Sequence, residues 1–172
     1  MIKKRLIEAG AIKFGDFTLA SGKKAGYYID IKEALTRPDI LDEISEGLSE
    51  KVSADRIAGV ELGAVPLLIA ASMRLKIPYI IVRKEKKPHG TEKLFIGDVQ
   101  PGENINILED VVPTGNSVLR AAEMLIDRGA KVSKVICVVD REEGGEELLK
   151  ANGIELVHLM RASELLTDNV HK

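Results

Sequence analysis

Short apolar runs recur along the chain, and stretches of helical spacing separate them. They are IAGVEL at 57–62, YIIVR at 79–83, INILED at 105–110, KVICVVD at 134–140 and IELVHL at 154–159. Runs this short and this apolar suit strands buried on both faces, with the intervening helices as covers. The alternation therefore predicts an α/β unit on a central parallel sheet with helices on both faces. Ligands of such sheets gather at the C-terminal ends of the strands. Glu61, Arg83, Glu109-Asp110 and Asp140-Arg141 all fall at predicted strand ends. That convergence of charge is the first pointer to a site.

The rest of the chain completes the unit. Residues 2–9 read as a short helix, and 17–31 as a hairpin or extended lobe turning at Ser21-Gly22-Lys23-Lys24. PDILDEISEGLSEK at 38–51 reads as an amphipathic helix with Pro38 in its first turn. A helix from about Val65 to Leu75 is apolar on nearly every side, which predicts deep burial. Residues 84–93 are polar, mostly charged, and contain Pro88 and Gly90, so they read as an exposed loop. In the helix that ends at Gly129, Val118, Ala121, Ala122 and Leu125 share the sheet-facing stripe. Arg120, Glu123 and Asp127 face away. EELLKANG reads as the helix before the final strand.

Composition limits the function classes. With 172 residues, 45% hydrophobic and 30% charged, the chain suits one domain with a real core. A formal net charge of -2 gives no global attraction to nucleic acid or anionic membranes. No apolar run approaches the roughly 20 residues that span a bilayer. The start MIKKRLIEAGAIKFG lacks the apolar centre of a secretory signal, so a cytoplasmic location is expected. Cys137 is the only cysteine, and its apolar surroundings predict a buried packing role.

The segment INILEDVVPTGNSVL carries the most chemistry. An apolar strand ends in Glu109 and Asp110, and Val111, Val112 and Pro113 lead into Thr114, Gly115, Asn116 and Ser117 at a helix start. Unpaired N–H groups and the macrodipole make a helix start a phosphate site. Gly115 allows close backbone approach. Thr114 and Ser117 add hydroxyls. Carboxylates repel phosphate, so the acids make sense if the ligand also offers hydroxyls, as a ribose 5-phosphate does. The lysine of a GxxxxGK[ST] loop is absent. An ordinary N-cap is the other use of TGNS.

ILEDVVPTGNSVL resembles the phosphoribosyl pyrophosphate motif of type I phosphoribosyltransferases. The resemblance implies that fold, with a small N-terminal hood (1–35) and a core (36–172) in a single domain. It implies that Glu109 and Asp110 hold the ribose hydroxyls, and Val111 to Ser117 border the donor, with Thr114 to Ser117 on the 5-phosphate. Pro113 stands where Thr is usual; it has no hydroxyl and no N–H, so its carbonyl is what remains for a base contact.

Three further segments resemble orotate phosphoribosyltransferases in particular. RKEKKPHG at 83–90 resembles their catalytic loop, which implies that Arg83, Lys84, Lys87 and His89 contact pyrophosphate. Cations there would stabilise the charge of the leaving group. In that family the loop reaches the neighbouring subunit's site, which implies a homodimer. FTLASGKKAGYYIDIK resembles the lobe that covers the base, which implies a role for Tyr27 and Tyr28. Ala20 replaces a lysine frequent in bacterial members, with Lys23 and Lys24 nearby. Arg141 matches the family's arginine for the orotate carboxylate, a contact suited to a guanidinium fork. A surface ion pair with Glu142 or Glu143 is its alternative use. GVELGAVP would line the pyrophosphate side through backbone N–H groups of Glu61 to Ala64. His158 and His171 receive no role.

The implied reaction moves a phosphoribosyl group from phosphoribosyl pyrophosphate to orotate, with Mg²⁺ held mainly by substrate and water. No protein metal ligand and no nucleic-acid or membrane partner is expected. Alternatives are a phosphoribosyltransferase for another base and a non-catalytic sensor of phosphoribosyl pyrophosphate.

Overall fold

The structure, a computed structural model, describes residues 2–18, 22, 24–84 and 94–166. Helix α1 (Ile2–Glu8) precedes an antiparallel hairpin, β1 (Ile12–Thr18) and β2 (Lys24–Ile29). A 3₁₀ turn (Ala34–Thr36) and α2 (Pro38–Ser49) lead into the main sheet. The strands of that sheet are β3 (Arg56–Val60), β4 (Tyr79–Val82), β5 (Phe95–Ile96), β6 (Asn104–Val112), β7 (Lys131–Asp140) and β8 (Glu155–Arg161). Helix α3 (Val65–Leu75) joins β3 to β4, α4 (Asn116–Ile126) joins β6 to β7, and α5 (Gly145–Ala151) joins β7 to β8. Helix α6 (Ala162–Leu166) follows β8.

The spatial order is β5-β4-β3-β6-β7-β8. All neighbours are parallel except the β4–β5 edge, which is antiparallel. Residues alternate between two cores, as the pleat requires. Ile57, Leu108 and Ile136 pack with Ile40 and Ile44 of α2 and Leu67 and Leu68 of α3. Ala58, Ile107 and Cys137 pack with Val118, Ala121, Ala122 and Leu125 of α4. The expected α4 stripe is thus the buried one. An 11-residue helix is marginal alone, so this burial is what holds it. Cys137 is buried as expected, and burial pushes its thiol well up, which leaves it unreactive.

After β3 the chain goes to β4 on one side, then returns to β6 on the other. The pairing of β3 with β6 stops at Ala58 and Ile107. On the outer sides the ladders continue to Val60–Val82 and Val112–Asp140. A cleft therefore opens between the end of β3 and the end of β6, at the point where strand order reverses.

Several expectations need correction. The hairpin starts at Ile12 rather than 17, because a register shift between Phe14 and Phe17 interrupts the alternation that marks a strand. Gly15 sits within that shift at φ 153°, a conformation that favours glycine. The residues of the expected turn at 21 and 23 lie outside the described residues, and Lys24 belongs to β2. Val111 and Val112 continue β6 rather than opening the turn, because β7 supplies ladder partners that far. Helix α3 is not buried all round: Ile69 and Met73 stay exposed, since the sheet and α2 cover only one side. The sheet also gains the short antiparallel edge strand β5, too brief to show a pattern in sequence.

Candidate active site

Glu109 and Asp110 lie on β6 at the cleft, 8% and 6% exposed. Buried carboxylates require hydrogen-bond donors. The Asp110 N–H donates to Glu109 Oε1 at 3.0 Å, and the Val111 N–H donates to Asp110 Oδ1 at 2.8 Å. Asp110 Oδ2 is 3.2 Å from Lys32 Nζ. Burial, with the adjacent Asp110, pushes the Glu109 carboxyl well above the usual carboxylate range.

The turn after β6 settles one alternative left open by the sequence. Gly115 is the N-cap of α4, at φ 79°, and no side chain caps the helix. The Asn116 amide instead donates to Thr114 Oγ1 at 3.1 Å. The first amides of α4 thus stay uncapped, as an anion site needs. Val111, Val112, Pro113, Thr114, Gly115, Asn116 and Ser117 line a cavity of about 90 Å³ with Glu109. Gly145 supports this turn: a Cβ there would lie 2.8 Å from Val112 Cγ1 and 2.9 Å from the Pro113 carbonyl oxygen. Only glycine allows that approach.

Opposite the acids runs the 61–64 turn, whose Glu61–Leu62 peptide is cis. Of its expected donors, the Glu61 N–H is used by the Val82 carbonyl and the Ala64 N–H by the Val60 carbonyl. Among the described residues, Leu62 and Gly63 donate to no backbone carbonyl. Gly63 touches the acid pair, since a Cβ there would lie 2.4 Å from Asp110 Oδ2.

Arg83 and Lys84 follow β4. The Arg83 N–H donates to the Leu94 carbonyl at 2.9 Å, and the Lys84 N–H to Glu61 Oε1 at 3.2 Å. Both residues line a cavity of about 320 Å³ with Asn116, Ser117 and Arg120. Lys87 and His89 lie outside the described residues, as do Ala20, Lys23 and His171.

Arg141 is anchored beside the turn by its N–H, which donates to the Val112 carbonyl at 2.9 Å. Its side chain is 11% exposed, and Nη2 is 2.6 Å from Glu143 Oε1. Glu142 is not its partner, because Glu142 Oε2 accepts the Ser163 N–H at 2.8 Å. Arg141 Nε is buried with no hydrogen-bond partner among the described residues. The Glu143 pair therefore leaves one donor of the guanidinium fork open to a further acceptor.

The hairpin aromatics separate. Tyr27 packs against the core, while Tyr28 is 39% exposed with its ring 5.7 Å from that of Phe17. Alternation along β2 sends the two rings to opposite faces, so a base on one face meets one of them. His158 Nδ1 is buried and without a partner among the described residues.

Sequence reasoning missed Lys32, the steric role of Gly63, Gly145 and Arg120. The pair Gly144-Gly145 was a visible signal for the third. Lys32 and Gly63 act across the fold, which no local pattern reveals.

Known proteins match this chain in sequence and in fold. Residues 30–154 match the phosphoribosyl transferase domain family. The orotate phosphoribosyltransferase of Picrophilus torridus is 53% identical over 165 residues, which is 96% of this chain and 99% of that one. That of Thermoplasma acidophilum is 52% identical over 164 residues, 95% of each chain. The crystal structure of orotate phosphoribosyltransferase from Aeropyrum pernix superposes with TM-score 0.88 at 32% identity, covering 98% of this chain and 97% of that one. Uncapped amides, a buried acid pair and a half-paired arginine around one cleft, together with identity at this level over nearly the full length, place the chain in the phosphoribosyltransferase domain family, among the orotate phosphoribosyltransferases.

Proposed function

We propose that this chain transfers the 5-phosphoribosyl group of phosphoribosyl pyrophosphate to N1 of orotate, releasing pyrophosphate and forming orotidine 5-phosphate, a step of pyrimidine synthesis. Orotate N1 bonds to the anomeric carbon as the bond to pyrophosphate breaks, and the N1 proton passes to water or to the departing pyrophosphate. The observation that carries the reading is Arg141, a largely buried cation whose Nε has no partner among the described residues and whose backbone N–H is tied to Val112, just before the uncapped start of α4. Orotate has a carboxylate to meet that donor; adenine, hypoxanthine and uracil have none.

In this reading the α4 amides with Thr114 and Ser117 take the 5-phosphate. Asp110, and Glu109 beneath it, take the ribose hydroxyls. Leu62 and Gly63 offer N–H groups to the pyrophosphate, and Arg83, Lys84, Lys87 and His89 offset its charge as it departs. The positively charged transition state, oxocarbenium-like as in glycoside chemistry, meets the acid pair. Positioning supplies much of the acceleration. Pro113 gives the base side a carbonyl, and the hairpin that bears Tyr27 and Tyr28 covers it.

Mg²⁺ fits this site as an ion carried in by the substrate. Among the described residues no group of three or more His, Cys, Asp or Glu could hold a metal. Substrate oxygens and water would therefore supply most of its shell, in the manner usual for Mg²⁺. When bound, the ion would neutralise pyrophosphate charge.

The active form is a cytoplasmic homodimer with the 84–93 loop shared between subunits. Exposed Leu62, Ile69 and Met73 support an interface beside the 61–64 turn. The deciding assay is loss of orotate absorbance on mixing with phosphoribosyl pyrophosphate and Mg²⁺. Faster turnover of adenine, hypoxanthine or uracil would overturn the choice of base.

A further inference from the structure

Lys32 lies in the short link between the hairpin and α2. Its Nζ is 3.2 Å from Asp110 Oδ2 and 3.4 Å from Asp30 Oδ1. Its backbone N–H also donates to Asp30 Oδ1 at 3.1 Å, which fixes the root of the side chain. Among the described residues, Lys32 is the cation paired with Asp110. Asp110 is otherwise enclosed, with one oxygen bonded to its neighbour's N–H and the other pressed towards Gly63.

A carboxylate in such a place is costly unless a cation compensates it. The cost rises beside a ligand that carries phosphate and pyrophosphate, because like charges repel in a medium of low dielectric. Burial works against the Lys32 charge, but Asp110 and then Asp30 outweigh it and raise the ammonium above its ordinary value. The side chain is about half exposed, at 53%, so its stem retains room to follow the carboxylate.

We propose that Lys32 is a positioning residue for the sugar donor: it offsets the charge of Asp110 and orients its carboxylate, so that the acid can accept ribose hydroxyls next to the donor's anionic groups. The role rests on the reading of this cleft as the phosphoribosyl pyrophosphate site. It also gives the link from hairpin to core a function, because the base-side lobe and the donor-side acid share one ion pair.

The test uses the full chain with Lys32→Met, Lys32→Arg, Asp110→Asn and the double variant Lys32→Met/Asp110→Asn. Loss of one charge-assisted contact corresponds to about a tenfold rise in the KM for phosphoribosyl pyrophosphate in Lys32→Met. The KM for orotate should stay within about twofold, as expected for an uncoupled site. Lys32→Arg should recover most of the loss. Calorimetric titration with phosphoribosyl pyrophosphate supplies a Kd that does not depend on turnover. In the Asp110→Asn background, Lys32→Met should change that Kd by less than about twofold, because the partner is gone. Thermal melts verify that each variant is folded. A parental donor KM in Lys32→Met, an equal rise in both KM values, or an undiminished effect in the Asp110→Asn background would overturn the role. A parent that converts no orotate overturns the underlying reading instead, so the two failures are distinguishable.

Discussion

Gly63→Ala is a small change with a calculable consequence. The added methyl would sit 2.4 Å from Asp110 Oδ2, 2.6 Å from Cγ and 2.9 Å from Oδ1. Ordinary van der Waals contact begins at 3.4 Å, so the carboxylate or the turn must retreat by about 1 Å. Gly63 does not occupy the left-handed region, so the backbone itself tolerates alanine and the effect is steric. Aspartate is too short to bend away at its tip. Its retreat breaks the 2.8 Å bond from the Val111 N–H and the 3.2 Å pair with Lys32. Overpacking of this kind costs about 1–3 kcal/mol. For a chain of this size that lowers Tm by roughly 2–12 °C. A displacement of about 1 Å at the sugar hydroxyls should lower kcat/KM for the donor by roughly 100-fold. Thermal melting followed by fluorescence and the orotate absorbance assay measure the two effects. A variant with parental Tm and parental donor kcat/KM would refute the packing argument.

Arg141→Lys keeps the charge but loses the fork, so the orotate KM should rise by about 10- to 100-fold, with the donor KM little changed; an equal rise for both substrates would remove the carboxylate role. Burial first, then Asp110, raises the Glu109 carboxyl in the folded state, while Lys84 opposes the shift. The folded protein therefore binds this proton more tightly than the unfolded chain, and stability falls as pH rises above the ordinary glutamate value of about 4.3. Glu109→Gln does not titrate there, so its Tm relative to the parent should climb as pH rises above about 4.3; a difference independent of pH contradicts the shift. Met73 is 67% exposed on α3, and Met73→Lys should halve the mass seen by sedimentation, towards 18.8 kDa, without loss of Tm; an unchanged dimer would place the interface elsewhere.

What could be read in the sequence follows from how local each cause is. Val118, Ala121, Ala122 and Leu125 announced the buried face of α4 because four residues of one helix suffice to define a stripe. Glu109 and Asp110 stood out because acids at the end of an apolar strand need a reason. The uncapped amides at Gly115 needed coordinates, since Thr114 and Ser117 could each have capped the helix. The start of the hairpin was hidden because a bulge at Gly15 breaks the alternation. Lys32 was hidden among 25 Lys and Arg residues, because its partner lies on a strand far along the chain. Gly63 was anticipated as a backbone donor, but its contact with Asp110 exists only once β3 and β6 are brought together. The α3 helix misled for a related reason: apolar content states what can be buried, and the covering elements decide what is.

The parting of β3 from β6 has a mechanical consequence for the proposed chemistry. In the proposed reading, pyrophosphate contacts belong to the β3–β4 half of the sheet, and sugar contacts to the β6–β7 half. The bond to be cleaved thus spans a seam, and each fragment of the donor rests on a different slab. Below the seam the halves stay joined, because β3 and β6 remain paired from Arg56–Ile105 to Ala58–Ile107. A catalyst that must let two charged pieces separate, yet keep both in hand until the base arrives, gains from this discontinuity an open mouth above a closed, rigid floor.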